Sequence, residues 1–175
     1  MARIPSRHYG PGFSRPLSFG KVPFPALSDM QVIRVVIVND HPIVRSNLRM
    51  LLERESDVRV VGEAANAREA VLLADYQKPD IVLLDTKVQN VSGVQTAREM
   101  LKKNSALSIV FISALTADEY VIEALKLGAH GYVTGDSAQS DLLPAVRAAA
   151  KRERFLSPAI AARMDREQIT PRTSS

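Results

Sequence analysis

From residue 33 onward, the chain alternates between short runs of apolar residues and segments in which apolar residues recur three and four positions apart. Continuous runs of Val, Ile and Leu predict parallel strands buried on both faces. The spacing of three and four residues in the segments between them predicts amphipathic helices. Each strand is therefore expected to connect to the next through a helix that covers the sheet. The predicted strands are 33–38, 58–63, 81–85, 109–113 and 131–134.

Proline and glycine mark the ends of the predicted helices. Pro42 lies near the first turn of the first helix, Gly128 follows the fourth, and Pro144 is expected within the first turn of the fifth. The predicted helices are 44–52, 67–76, 94–101, 120–127 and 140–152, with a further short helix from 158 to about 167. These units predict an α/β fold, a doubly wound five-stranded parallel sheet with helices on both faces.

One folded domain with an extension at each end is expected. Residues 1–30 contain five prolines, three glycines and no repeating apolar pattern, which predicts a disordered tail. The domain is placed at residues 31–153, and residues 154–175 are expected to form a C-terminal extension with a short helix. Met30 stands just before the first strand, so one hypothesis is that translation starts there.

Composition narrows the class of protein. A chain of 175 residues with 46% hydrophobic residues can fill one core, and the absence of cysteine excludes disulfides and thiolate catalysis. Cysteine-free composition suits a reducing, cytoplasmic location, and no apolar run approaches the roughly 20 residues that span a membrane. The net charge of +4 resides at the ends, because residues 31–150 hold 13 basic and 15 acidic side chains. The basic ends are interpreted as solvated sequence.

Polar residues follow several strands at the edge where doubly wound sheets bind ligands. Asp40 follows the first strand and Asp85 ends the third, so two carboxylates are expected to face each other across neighbouring strands. Such a pair is unfavourable without a cation, and its oxygen atoms suit magnesium. A carboxylate is also a competent nucleophile for a phosphoryl group, and the Ser113 hydroxyl could hold a phosphoryl oxygen.

Four stretches of sequence, in this order and spacing, resemble one known family. They are IRVVIVNDHP at 33–42, VVGEA at 60–64, PDIVLLD at 79–85 and LGAHGY at 127–132. Over about residues 32–160 the chain resembles the receiver domain of bacterial two-component response regulators, a CheY-like domain, and is most similar to the NarL/LuxR group. The resemblance implies the strand order 2-1-3-4-5 for the predicted sheet.

The resemblance implies a role for each residue at the predicted edge. Asp85 matches the phosphoacceptor, which receives its phosphoryl group from a histidine kinase or a phosphotransfer protein. Asp40 matches the acid that binds magnesium (Mg²⁺) directly, together with Asp85 and the backbone carbonyl of Lys87. Ser113 matches the switch hydroxyl, and Tyr132 matches the aromatic residue whose rotamer reports the state. The domain is expected to signal through protein contacts and not to be an enzyme.

Three departures from the family pattern fall in the site. The family's acid pair is Asn39-Asp40 here, so Asn39 is expected to reach magnesium only through water and to weaken its binding. Gly135 stands where a lysine is expected, which removes a cation that pairs with a phosphoryl oxygen. Val88-Gln89 replaces Met-Pro. Lys87 is a hypothetical substitute cation, and the alternative is that it points to solvent.

Other interpretations of the same residues stay open. A degenerate receiver would bind partners without phosphate, and Tyr132 would then be a core aromatic. A phosphatase that uses Asp85 as nucleophile generally needs a second acid two residues later, where this chain has Lys87.

Contacts with other macromolecules are also open. Residues 169–172 resemble the opening of a helix-turn-helix domain, but the chain ends three residues later, so DNA binding by this chain alone is not expected. Small and apolar residues on the first and fifth helices suit a homodimer or a different protein partner.

Overall fold

A computed structural model of the protein describes residues 31–168. The strands are β1 (Ile33–Val38), β2 (Val58–Ala64), β3 (Ile81–Asp85), β4 (Lys87–Val88), β5 (Val91–Ser92), β6 (Ser108–Ser113), β7 (Gly131–Thr134) and β8 (Phe155–Leu156). The helices are α1 (Pro42–Glu53), α2 (Ala67–Gln77), α3 (Gly93–Lys103), α4 (Asp118–Leu127), α5 (Ala138–Ala150) and α6 (Pro158–Gln168), with a 3₁₀ turn at Gly135–Ser137. The predicted tail at 1–30 lies outside the described residues, as does the stretch at 169–172.

Within residues 31–168, six strands form one parallel sheet of order β2-β1-β3-β6-β7-β8. The first five positions confirm the predicted order 2-1-3-4-5, with β6 and β7 as the fourth and fifth strands. The prediction of five strands was one short, because β8 has two residues and carries no recognisable pattern. The strand order reverses between β1 and β3, which fixes where the sheet can hold a ligand.

The sixth strand ties the C-terminal segment to the sheet. Phe155 donates its backbone N–H to the His130 carbonyl at 2.9 Å, and Ser157 donates to the Tyr132 carbonyl at 3.0 Å. The following helix α6 buries Ile160 completely in the core. The part of the predicted extension that the structure describes therefore packs within the same sheet and core as the domain.

Two apolar layers cover the sheet, one on each face. Alternate residues of β1 show this, since Val36 and Val38 pack in one layer and Val35 and Ile37 in the other. The first layer is completed by α2, α3, α4 and α6, and the second by α1 and α5. Strands that are apolar on both sides fit this arrangement, as the continuous runs in the sequence predicted. No helix in the described part of the chain is long and apolar enough to span a membrane.

Helix α5 begins earlier than predicted. It starts at Ala138 after the 3₁₀ turn, so Pro144 lies inside the helix and not in its first turn. A proline has no N–H to donate to the carbonyl four residues earlier, which is that of Ser140. The predicted position of Pro144 was wrong because the turn before the helix has no apolar periodicity to mark it.

Helix α3 begins against the end of β3 at a residue that must be glycine. Gly93 donates its N–H to the Thr86 carbonyl at 2.7 Å, and Ser92 caps the helix by accepting from Gln95 N–H. A Cβ at Gly93 would lie 2.1 Å from the carbonyl oxygen of Asp85. The close approach of helix and strand therefore fixes the backbone next to Asp85.

We expect Gly93→Ala to lower the free energy of unfolding by roughly 1–3 kcal/mol, because the new methyl group displaces backbone. Gly135→Ala is the matched control, since a Cβ there meets its nearest atoms only at 3.9 Å. The control should change stability by less than about 0.5 kcal/mol. Urea unfolding followed by circular dichroism measures both, and equal stabilities of the two variants would contradict the packing argument.

Candidate functional site

A cavity of about 570 Å³ opens at the carboxyl ends of β1, β3 and β6. Its lining brings together residues that the sequence analysis selected from four separate segments. They are Asn39, Asp40, Asp85, Lys87, Ser113 and Gly135. The cavity lies beside the reversal of strand order, where doubly wound sheets bind ligands.

Asp85 is half-buried and hydrogen-bonded on both carboxylate oxygens. Its Oδ2 accepts from the Asn39 amide at 2.8 Å, and its Oδ1 accepts from the Lys87 backbone N–H at 3.2 Å. Burial raises the pKa of Asp85 above its ordinary value, the Lys87 hydrogen bond opposes this, and the nearby Asp40 charge adds to the increase in pKa. The site therefore holds a carboxylate whose negative charge is destabilised by its surroundings.

Asn39 contributes its amide nitrogen to the site and turns its amide oxygen away. The side chain is 3% exposed, and its Oδ1 accepts from the His41 backbone N–H at 2.8 Å. These two contacts fix the amide orientation, because an amide nitrogen suits a carboxylate and an amide oxygen suits an N–H. Asn39 is predicted to act through a metal-bound water, and its observed geometry adds a direct hydrogen bond to Asp85.

A short hairpin lies over the second acid. Strands β4 and β5 pair antiparallel, and their turn has positive φ at Gln89 (47°) and Asn90 (64°). Gln89 donates its backbone N–H to Asp40 Oδ2 at 3.0 Å, and His41 Nε2 lies 3.5 Å from Asp40 Oδ1. The replacement of Met-Pro by Val88-Gln89 did not predict this contact, since positive φ at Gln89 carries no sequence signal.

Ser113 and Tyr132 are joined through the loop that follows β6. Ser113 is 3% exposed, and its Oγ accepts from Leu115 N–H at 2.9 Å. Tyr132 is fully buried and donates its hydroxyl proton to the Leu115 carbonyl at 2.6 Å. Its ring lies 6.2 Å from that of Phe111, and burial raises the pKa of its hydroxyl. The inward rotamer of Tyr132 is therefore held by the loop.

Thr86 is a polar residue of the site that the sequence analysis missed. It is 5% exposed, and its hydroxyl lies 2.5 Å from the Ser113 hydroxyl and 3.4 Å from Asp85 Oδ1. A hydroxyl directly after the strand-end acid was the available signal. It was passed over because the sequence does not give the pairing register that brings Thr86 and Ser113 together.

Two positions were considered for a cation that binds phosphate, and they differ because Lys87 carries an ammonium group whereas Gly135 has no side chain. The Lys87 side chain is exposed at the cavity, and its ammonium forms no salt bridge within residues 31–166. Gly135 leaves open space, since a Cβ there would meet only Ala114 N and Ser113 O at 3.9 Å. Of these two positions, only Lys87 can therefore supply a cation to the cavity.

The donor set fits a hard cation, with few ligands from the protein. The described residues contain no group of three or more His, Cys, Asp or Glu side chains that could hold a metal. Asp40, Asp85 and the Lys87 carbonyl are oxygen donors at one edge, which suits magnesium because that ion typically keeps several waters. The amide of Asn39 presents its nitrogen and adds no ligand.

Fold and site together define a class of protein. A doubly wound sheet of order 2-1-3-4-5, extended by one edge strand, with an acid after β1 and another at the end of β3, is the CheY-like receiver architecture. The family described as response regulator receiver domain matches residues 35–147, and the chain belongs to this family. The family inferred from the four sequence motifs is thereby confirmed.

Relatives place the chain beside NarL/LuxR-type response regulators. It is 33% identical over 159 residues to the nitrate/nitrite response regulator protein NarL of Escherichia coli (strain K12), covering 83% of this chain and 74% of NarL. It is 33% identical over 132 residues to the transcriptional regulatory protein YxjL of Bacillus subtilis (strain 168), covering 75% of this chain and 61% of YxjL. The chain thus spans only part of each of these two relatives.

Solved structures agree in fold. A two-component response regulator of the LuxR family from Aurantimonas sp. SI85-9A1 is 34% identical, with a TM-score of 0.76 over 79% of this chain and 99% of that one. The response regulator domain of Thermotoga maritima CheB is 30% identical, with a TM-score of 0.65 over 69% of this chain and 97% of that one. These similarities confirm the α/β CheY-like fold.

We expect the Asp85 carboxyl to titrate above the ordinary aspartate pKa of about 3.9, because burial destabilises its charge. Its folded pKa exceeds its unfolded pKa, so ionisation of Asp85 destabilises the fold: the penalty is absent well below the unfolded pKa and grows as pH rises through the folded pKa. Asp57 is the internal control, since hydrogen bonds from Arg147 lower the pKa of its carboxyl. Carboxyl ¹³C NMR titration measures both groups, and a pKa of Asp85 at or below that of Asp57 would contradict this picture.

Proposed function

We propose that this chain is a signalling receiver whose Asp85 accepts a phosphoryl group from a histidine kinase or a phosphotransfer protein. The observation that carries the proposal is the position of the Asp85 carboxylate, which ends β3 and lines an open cavity beside Asp40 and Ser113. Asp85 is only partly buried and lines the cavity, so its carboxylate is reachable by a donor. The output is contact with another protein, and the chain works in the cytoplasm.

The transfer forms one bond and breaks one. An oxygen of the Asp85 carboxylate bonds to phosphorus, and the phosphorus–nitrogen bond to the donor histidine breaks with its electron pair staying on the imidazole. Asp40, Asp85 and the Lys87 carbonyl would hold magnesium, which would offset negative charge on the transferring group. The Ser113 hydroxyl lies at the same edge and is the side-chain donor proposed to hold a phosphoryl oxygen of the product.

Asn39 adapts the site to work with weak metal binding. Its amide donates to Asp85 without adding a third negative charge, so the Asp85 carboxylate keeps a partner when magnesium is absent. The same substitution removes a carboxylate that would attract the ion. We therefore propose that magnesium binds here more weakly than in a site with an acid at this position.

We expect Asn39→Asp to tighten magnesium binding by about tenfold, because ligand charge and second-shell groups set affinity for hard cations. Without magnesium, the same variant should raise the pKa of Asp85 further, since a third carboxylate replaces a hydrogen-bond donor. Asn90→Asp is the matched control: it adds a charge to the lining of the same cavity and should change affinity by about twofold or less. Magnesium titration followed by NMR gives both affinities, and equal effects of the two substitutions would contradict a specific role for Asn39.

Acetyl phosphate with magnesium should label the chain at Asp85, and hydroxylamine should remove the label because an acyl phosphate is expected. Asp85→Asn should abolish labelling. Asp165→Asn, on an exposed position of α6, is the control and should leave labelling unchanged. Mass spectrometry locates the modification. A wild-type chain that stays unlabelled would remove the phosphoacceptor function and leave a phosphorylation-independent interaction module.

The same assay tests Lys87 as the cation that the site uses in place of the lysine missing at Gly135. We propose that the Lys87 ammonium reaches the phosphoryl group from the exposed side of the cavity. Lys87→Ala should then lower the labelling rate severalfold, whereas Lys102→Ala, which removes an exposed lysine from α3, should not. Unchanged labelling and unchanged magnesium affinity in Lys87→Ala would contradict this role and indicate that Lys87 points to solvent.

A further inference from the structure

Thr86 occupies a buried position between the phosphoacceptor and the switch hydroxyl. It is 5% exposed, and its hydroxyl contacts both Asp85 and Ser113. We propose that Thr86 is a positioning residue that holds Ser113 in its unphosphorylated orientation and couples Asp85 to the loop after β6. Its role in signalling rests on the proposed function, whereas its hold on Ser113 can be tested without phosphate.

The two hydroxyl hydrogens of this hydrogen-bonded series can be assigned from the groups at its two ends. The Asp85 carboxylate can only accept, so Thr86 donates its one hydroxyl proton to Asp85 Oδ1 across a 3.4 Å contact. The 2.5 Å contact between the Thr86 and Ser113 hydroxyls then uses the Ser113 proton, and Ser113 Oγ accepts the Leu115 backbone N–H at 2.9 Å. Each hydroxyl thus accepts one hydrogen bond and donates one.

Burial makes the contact between the two hydroxyls specific. Ser113 is 3% exposed, so its hydroxyl has little access to solvent as an alternative partner to Thr86. A buried hydroxyl that loses its partner is unfavourable, and the Ser113 rotamer is therefore tied to the presence of the Thr86 hydroxyl. A side chain without that hydroxyl would leave Ser113 free to rotate.

The far end of the hydrogen-bonded chain reaches Tyr132. Leu115 is held at both backbone polar groups, with its N–H on Ser113 and its carbonyl accepting from the Tyr132 hydroxyl at 2.6 Å. Gly135 contributes no side chain to this edge. The observed side-chain connection from Asp85 to the loop therefore runs through Thr86.

Phosphorylation of Asp85 would make a phosphoryl oxygen compete with Thr86 for the hydroxyl proton of Ser113. Ser113 cannot donate its one hydroxyl proton both to Thr86 and to a phosphoryl oxygen on Asp85. If Ser113 turns to the phosphoryl group, its bond to Thr86 breaks and the loop at Leu115 moves with it. Thr86 therefore opposes the phosphorylated arrangement, and its removal should favour that arrangement.

The first experiment uses the full chain without any phosphate donor. Amide hydrogen exchange at Leu115 is compared in two matched pairs: wild type against Thr86→Val, which keeps the shape, and Thr86→Ser against Thr86→Ala, which differ by the hydroxyl alone. We expect Leu115 to exchange about tenfold faster in the valine and alanine variants than in their partners. Amides of the β6 interior, such as Phe111, should stay protected, since a merely structural defect would expose them too.

Each outcome of this comparison decides the proposal. Equal exchange at Leu115 within both pairs would overturn it, as would a uniform rise across β6 in both hydroxyl-free variants. If Thr86→Val does not fold, the serine and alanine pair gives the same test, because neither side chain carries the threonine methyl group. Slower exchange of the Leu115 amide in Thr86→Ser than in Thr86→Ala would show that the hydroxyl is responsible for the protection.

The second experiment titrates beryllofluoride, a phosphoryl mimic, in the presence of magnesium. Thr86→Val should bind the mimic about three- to tenfold more tightly than wild type, which corresponds to the loss of one opposing hydrogen bond. Equal or weaker binding by Thr86→Val would overturn the restraining role. If the wild type binds no mimic, the proposed phosphoacceptor function fails, while the exchange result still decides whether Thr86 holds Ser113.

Discussion

The hydrogen bond from the Asn39 amide to the Asp85 carboxylate is the contact on which the site depends. Parallel pairing aligns Val38 with Leu84, so the residues that follow them lie side by side at the edge of the sheet. A half-buried carboxylate is costly when it lacks hydrogen bonds, and a second carboxylate at this place would increase the cost. The neutral amide therefore stabilises the Asp85 charge where an acid would need a cation.

The next pair of strands builds the rest of the site by the same rule. Asp85 pairs with Ile112 across β3 and β6, so the residues that follow, Thr86 and Ser113, also come together. The registers of these two strand pairs thus set which side chains lie on either side of Asp85. Close packing of Gly93 against the Asp85 carbonyl then fixes the backbone at Asp85 and Thr86. The chemistry of the edge is a consequence of strand pairing more than of any single loop.

This dependence explains what the sequence could predict. Apolar runs and their punctuation were sufficient for β1, β2, β3, β6 and β7, and the family resemblance implied their order. Residues at strand ends were sufficient to select Asp85 and Ser113. The pattern could not reveal β8, which has two residues and is held by backbone hydrogen bonds. Nor could it reveal the Thr86 contact, because that depends on a register between strands that are distant in sequence, and register leaves no local signal.

Two of the three departures from the family pattern at this site compensate each other in charge. Asn39 removes one negative charge, and Gly135 removes one positive charge, so the sum over the pocket is unchanged. What changes is the kind of interaction, since a hydrogen bond from a neutral amide replaces attraction between ions. A hydrogen bond acts only over a short distance and only in one geometry, whereas a charge acts across the cavity. Coupling between Asp85 and its surroundings should therefore rely on directional contacts, and those contacts are present in the Asn39 amide and in the hydroxyl of Thr86.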